Sequence, residues 1–201
     1  MKTCILISSH LNTPLKLNVA LKLLDFLKIS DLPVIFTGNF PLPIEIQEKC
    51  DWTLNIKENP PTKKIRHTRW EGKLYTCWGY AHLHQITNGF LLGKSLGFDY
   101  IHHINYDINF KEEDFNKIVE YGKDYKPLVY NWGDDGFATN LFSIKTQDYL
   151  DSIVDKLHYY FNENPPGIKK GWICETFFQW ALEQNNIYPT PTTDIQWGEL
   201  I

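Results

Sequence analysis

The chain has 201 residues, 43% apolar and 22% charged, which is the length and balance of an ordinary globular domain with a sizeable core. Its net charge of −4 gives no reason to expect nucleic acid as a partner. No apolar run approaches the roughly 18 residues that a membrane helix needs, and the N-terminus enters a strand without a leader pattern, so no transmembrane segment and a cytoplasmic location are expected.

Thr3 to Ser8 is a short apolar run that reads as a first buried strand, and it ends on the polar trio Ser8-Ser9-His10. Asn12 or Thr13 can cap the helix that follows, with Pro14 suited to its first turn. Leu17, Ala20, Leu21, Leu24 and Leu27 repeat at helical spacing and give it one buried face. Leu32 to Thr37 reads as a second strand, Ile44 to Cys50 as a short helix and Trp52 to Ile56 as a third strand. This β-α-β-α-β order with short connections is the pattern of a mainly parallel sheet flanked by helices.

Residues 57–72 break that rhythm. Two prolines, five basic side chains and no apolar period predict a long loop, whose basic stretch Lys63, Lys64, Arg66, His67 and Arg69 is either solvated or an anion contact, with Lys73 just beyond it. A helix is predicted from Leu74 to Leu96. Gly97 closes it, and Phe98 to Ile104 supplies the aromatic and β-branched residues of a central strand. Lys111 to Tyr121 reads as a helix with an acidic first turn, Leu128–Asn131 and Ala138–Ile144 as strands around the polar loop NWGDDG, and Gln147–Phe161 and Trp172–Gln184 as the last helices. The four cysteines, Cys4, Cys50, Cys77 and Cys174, form no CxxC pair and are expected to be reduced thiols. No internal repeat or domain boundary is evident, so one domain over 1–201 is expected.

The chemistry concentrates where the central strand ends, in Asn105-Tyr106-Asp107. In open α/β sheets ligands collect beyond the carboxyl ends of strands. A carboxylate there can hold a hard divalent cation and, through it, a phosphate. Asp107 is the first candidate ligand, with Asn105 and Asn109 able to offer amide oxygens. The competing role for Asp107 is to cap the turn before the next helix. A histidine metal site is a poor competitor. His82 and His84 would project about 200° apart on a helix, and His102 and His103 would point to opposite faces of a strand.

The ordered set of these motifs resembles the GT-A nucleotide-sugar glycosyltransferases. The stretch NGFLLGKSLGFDYIHHINYD matches the part of that family that joins a helix to its DxD metal motif, with Asn105 in the place of the first Asp. The resemblance extends to the first strand with Ser8-Ser9-His10, to TGNFPLP, to FATNLFSIKTQDYL and to WICETFFQWAL, in the family's order. It implies a GT-A-like (Rossmann-like) domain whose half 1–109 binds nucleotide and whose half 110–201 binds acceptor. It implies transfer of a sugar from a UDP- or GDP-sugar to a hydroxyl of a carbohydrate or glycoconjugate, with Mn²⁺ or Mg²⁺ held by Asp107 and Asn105. Ser8, Ser9, His10, Arg66, Arg69 and Tyr106 would then contact the nucleotide. Glu175 and Asp135 would be the catalytic candidates, and Asp134, Trp132 and Trp172 would bind the acceptor. A sugar nucleotidyltransferase is the enzymatic alternative, although the Gly-rich basic loop it would carry after the first strand is absent from SSHLNTP. A non-catalytic nucleotide- or sugar-binding domain is the other.

Overall fold

The computed structural model describes residues 1–39, 41–57, 63–66, 74–77, 79–131, 136–161, 174–191 and 195–199. Its first half follows the predicted alternation. Strand β1 (Thr3–Ser9) leads into helix α1 (Pro14–Leu27), then β2 (Val34–Gly38), a one-turn helix α2 (Ile44–Gln47) and β3 (Trp52–Asn55). Thr13 caps α1, accepting a hydrogen bond from the Lys16 amide at 3.3 Å, and Pro14 takes the first helical position, where no amide donor is needed.

The connection to the next strand departs from expectation. Part of the predicted loop and the first turn of the predicted helix instead form an antiparallel ribbon, β4 (Lys63–Arg66) paired with β5 (Leu74–Cys77). Helix α3 therefore begins only at Gly79 and runs to Ser95. The sequence Leu-Tyr-Thr-Cys carries the aromatic and β-branched residues that favour extended backbone, and pairing with the basic strand overrides the apolar continuity that suggested helix.

Strand β6 (Tyr100–Asn105) follows, then a two-residue turn at Tyr106-Asp107, β7 (Ile108–Phe110), helix α4 (Glu112–Lys123), β8 (Leu128–Asn131) and β9 (Phe137–Lys145). The helix predicted over 147–161 is α5 (Thr146–Ile153) continued by a 3₁₀ segment, Val154–Phe161. Helix α6 (Cys174–Glu183), β10 (Thr190–Pro191) and β11 (Trp197–Glu199) complete the chain, and β11 pairs antiparallel with β7. The two terminal strands and β7 are too short to carry a sequence period.

The main sheet has seven strands in the order β10-β8-β9-β6-β1-β2-β3. Strands β6, β1, β2 and β3 run parallel, and β9 runs antiparallel to both of its neighbours. Both faces of the sheet are buried. Leu6, Ile35, Ile101, Phe142 and Ile144 pack under α3, α5 and α6. Ile5, Ile7, Phe36, Ile104 and Leu141 pack under α1 and α4. Each such fully buried side chain contributes roughly 1.5–3 kcal/mol of transfer free energy. Two-sided burial explains why the central strands read as continuous apolar runs instead of alternating ones. Helix α3 lies close to β1 because it faces the sheet with glycine: a Cβ on Gly89 would come within 2.4 Å of the Leu6 side chain. Cys4 and Cys50 are unbridged thiols, and burial pushes both up, Cys50 to about 12 with help from the Asp51 charge.

As predicted, His102 and His103 face opposite sides of β6. His102 is 1% exposed, and its Nδ1 lies 2.7 Å from the Ser143 hydroxyl. Its Nε2 has no partner among the described residues. Burial holds this imidazole at about 4, below the ordinary 6.5. The unfolded chain therefore binds the extra proton first as pH falls. The stability from keeping His102 neutral is fully present above pH 6.5 and is lost on the way down to about pH 4. Its full extent is on the order of 3 kcal/mol. Urea midpoints measured at about pH 7.5 and pH 5 should fall toward acid for the wild type and fall less for His102→Gln. Equal slopes in the two proteins would show that His102 does not cause the acid loss of stability.

Candidate functional site

Chain order in the sheet places the crevice. From β1 the chain moves outward through β2 to β3, then crosses back to β6 on the other side of β1. The β1–β6 seam is thus the point at which the connections part, α1 leaving over one face and α3 arriving over the other. Such a switch point leaves a crevice beyond the carboxyl ends of the two strands. A cleft of about 430 Å³ lies there, lined by Ser9, His10, Asn12, Lys16, Ala81, His82, Gln85, Asn105 and Tyr106.

Backbone pairing fixes both lips. Ser8 stands opposite Asn105 in the parallel register, and the Tyr106 amide donates to the Ser8 carbonyl at 3.4 Å. Gln85 from α3 donates to the Ser9 carbonyl at 3.0 Å, tying the helix to the first lip. The structure thus brings together Ser9, His10, Asn105 and Tyr106 from the predicted set. Ser8 lies beneath them, fully buried, with its hydroxyl 2.9 Å from His103 Nε2. Asp107 follows in the turn after β6 and accepts a hydrogen bond from Asn105 Nδ2 at 2.8 Å. Asn109 lies further on, in β7, beside a second hollow with Lys111 and Trp197.

Beneath the cleft runs a polar network that sequence spacing did not reveal. His82, predicted to be unable to act with His84, instead meets His103 from the neighbouring strand, ring centroids 5.9 Å apart. Its Nε2 lies 3.3 Å from the Thr139 carbonyl. A carbonyl only accepts, so Nε2 carries the proton and Nδ1 is the acceptor nitrogen. Burial holds His82 at about 4 and His103 well below 6.5, and the proximity of His82 depresses His103 further. Both rings are therefore neutral near pH 7. The Thr139 hydroxyl donates to Glu175 Oε1 at 3.2 Å, so Glu175, in the first turn of α6, is joined through Thr139 to His82 in the cleft wall. The Thr139–Glu175 bond requires β9 to meet α6, a tertiary contact with no local signature.

Arg66 lies on β4, where the backbone alone is described. Arg69, Lys73, Trp132, Asp134, Asp135 and Trp172 fall outside the described residues. Among the described residues no group of three His, Cys, Asp or Glu side chains is arranged to hold a metal ion. Likewise no described helix is long and apolar enough to cross a membrane.

No family model matches the chain, and no curated protein matches it in sequence. Solved structures do match its fold. Mannose-1-phosphate geranyltransferase from Thermus thermophilus aligns with a TM-score of 0.50 and 10% identity, over 89% of this chain and 67% of that one. A glycosyltransferase involved in the glycosylation of the major capsid of PBCV-1 aligns with a TM-score of 0.49 and 11% identity, over 82% of this chain and 68% of that one. The fold is GT-A-like.

Within that GT-A-like frame, Gly136 sets the approach of β9 to the Glu175 turn. Its φ of +104° is one that side chains rarely adopt, and a Cβ there would lie 2.5 Å from the Glu175 carbonyl oxygen. Gly136→Ala should therefore cost about 1–3 kcal/mol of stability and displace the first turn of α6. Chemical denaturation checks the loss, and a variant as stable as the wild type would contradict this geometry.

Proposed function

We propose that the protein is a glycosyltransferase that moves a sugar from a nucleotide diphosphate sugar, UDP- or GDP-linked, to a hydroxyl of a carbohydrate or glycoconjugate. The observation that carries this reading is the cleft at the β1–β6 switch point. Ser9 and His10 form one lip, Asn105 and Tyr106 the other, and Glu175 is tethered to its wall through Thr139. In this reading residues 1–109 hold the nucleotide and 110–201 the acceptor.

Asp107 would be the principal ligand of Mn²⁺ or Mg²⁺, with Asn105 beside it. One carboxylate beyond a strand end is the donor set that such an ion takes when substrate phosphates complete its oxygen shell. The ion, when bound, neutralises charge on the diphosphate. The protein's own side chains orient the reactants. With inversion at the anomeric carbon, the acceptor oxygen forms the new C–O bond and the bond to the diphosphate breaks. The hydroxyl proton passes to Glu175. Thr139 holds one oxygen of that carboxylate and fixes its direction, and the other has no partner among the described residues. Asp135 is the other candidate base. Asp134, Trp132 and Trp172 would contact the acceptor, and Ser8 would support the lip from below.

One observation favours a second reading, a non-catalytic nucleotide- or sugar-binding domain: the Asn105 amide already occupies one oxygen of Asp107. Titration calorimetry of UDP and GDP with and without Mn²⁺, followed by a donor-hydrolysis assay, separates the two. The enzyme reading expects Mn²⁺ to tighten nucleotide binding, Asp107→Ala to abolish that gain, and one or more UDP- or GDP-sugars to turn over. Binding without turnover would establish the second reading. Glu175→Gln should slow transfer at least a hundredfold, the scale of general-base assistance, while leaving donor affinity unchanged. Equal loss of both would make Glu175 a structural residue.

A further inference from the structure

We propose that the β1–β6 cleft binds a phosphate or diphosphate group directly through Lys16, without a metal ion. The proposal rests on the nucleotide reading above and names the protein group that meets the anion. Lys16 lines the cleft from the first turn of α1, and no carboxylate stands among the described lining residues. It forms no ion pair among the described residues, unlike Lys28 and Lys49, which share Asp25, or Lys117, which meets Asp114. The Lys16 ammonium lies 6.0 Å from the centroid of the Tyr106 ring on the opposite lip, at the outer range of a cation–π contact. The described lining of the cleft therefore carries one positive charge and no negative one, with the Asp107 carboxylate just behind Asn105, and a charge-assisted contact from Lys16 to a phosphate is available there.

Two further features point to the same ligand. The N-terminus of α1, a helix of 14 residues, opens beside Lys16, and Asn12 just ahead of it also lines the cleft. Its dipole adds positive potential in the first turn. Ser9, only 2% exposed, is among the residues lining the cleft, and its hydroxyl, buried from solvent, has no partner among the described residues. An unmatched buried hydroxyl is costly unless a ligand or water completes it. A phosphate oxygen is such a complement. His10 contributes hydrogen bonding rather than a second charge, because burial and the neighbouring Lys16 both lower its proton affinity.

The test is titration calorimetry with inorganic pyrophosphate in the presence of EDTA. Wild type should bind. Lys16→Gln should weaken binding at least tenfold, Lys16→Arg should retain most of it, and Lys22→Gln on the same helix should leave it unchanged. No pyrophosphate binding in EDTA would overturn the proposal, and so would equal affinity of wild type and Lys16→Gln. The outcome is separable from that of the glycosyltransferase reading. Pyrophosphate binding through Lys16 with no nucleotide-sugar turnover leaves the anion site standing and removes the enzyme. Turnover with Lys16-independent pyrophosphate binding does the reverse.

Discussion

Strand β1 is paired on both sides in parallel, with β2 and with β6, and the rest of the structure depends on that double pairing. Parallel neighbours need crossovers, and crossovers leaving in opposite directions must cover opposite faces. Helix α1 therefore starts on one side of the end of β1, and α3 approaches from the other. Above the seam the described residues leave a cleft. The cleft is a topological consequence of strand order, and the residues at the two strand ends become its lips whatever their chemistry.

The polar chemistry under the cleft follows from burial. Ser8, His103 and His82 stand where apolar side chains would ordinarily continue the core; desolvation keeps the two imidazoles neutral, and hydrogen bonding or ring contact links the three. A neutral imidazole can both donate and accept, so His82 can bond Thr139 and still present an acceptor nitrogen. Thr139 carries the chain on to Glu175, whose carboxylate sits on a helix instead of a loop. Such a site is directional: its groups are fixed before any ligand arrives, which limits the ordering cost of binding.

Much of the fold was legible because two-sided burial leaves long apolar runs. Thr3–Ser8, Leu128–Asn131 and Ala138–Ile144 were each located to within two residues of the strands observed. Thr13 and Pro14 announced α1 through capping chemistry. Direction was not legible: nothing local tells β9 to run antiparallel, since that depends on how the chain returns after α4 and β8. The β4–β5 ribbon was hidden because its basic strand has no apolar period, and the strand after it merges with the start of α3.

The site was legible only in outline. Asn105 was a candidate because strand ends collect ligands in open α/β sheets, and Ser9, His10 and Tyr106 because of the family resemblance; the four line one cleft. Lys16 was passed over because a lysine in an amphipathic helix ordinarily belongs to its solvent face, and its contact with Tyr106 is tertiary, outside what a helix period shows. The meeting of His82 with His103 was hidden for the same reason, since helix and strand periods describe each element alone. A nucleotide diphosphate proposed to occupy the β1–β6 seam would be visible in a crystal structure of the protein soaked with UDP or GDP and Mn²⁺. The diphosphate is expected between Lys16 and Asp107, with the nucleoside against Ser9 and His10. Nucleotide bound elsewhere, such as in the hollow beside Asn109 and Trp197, would overturn the seam as the donor site.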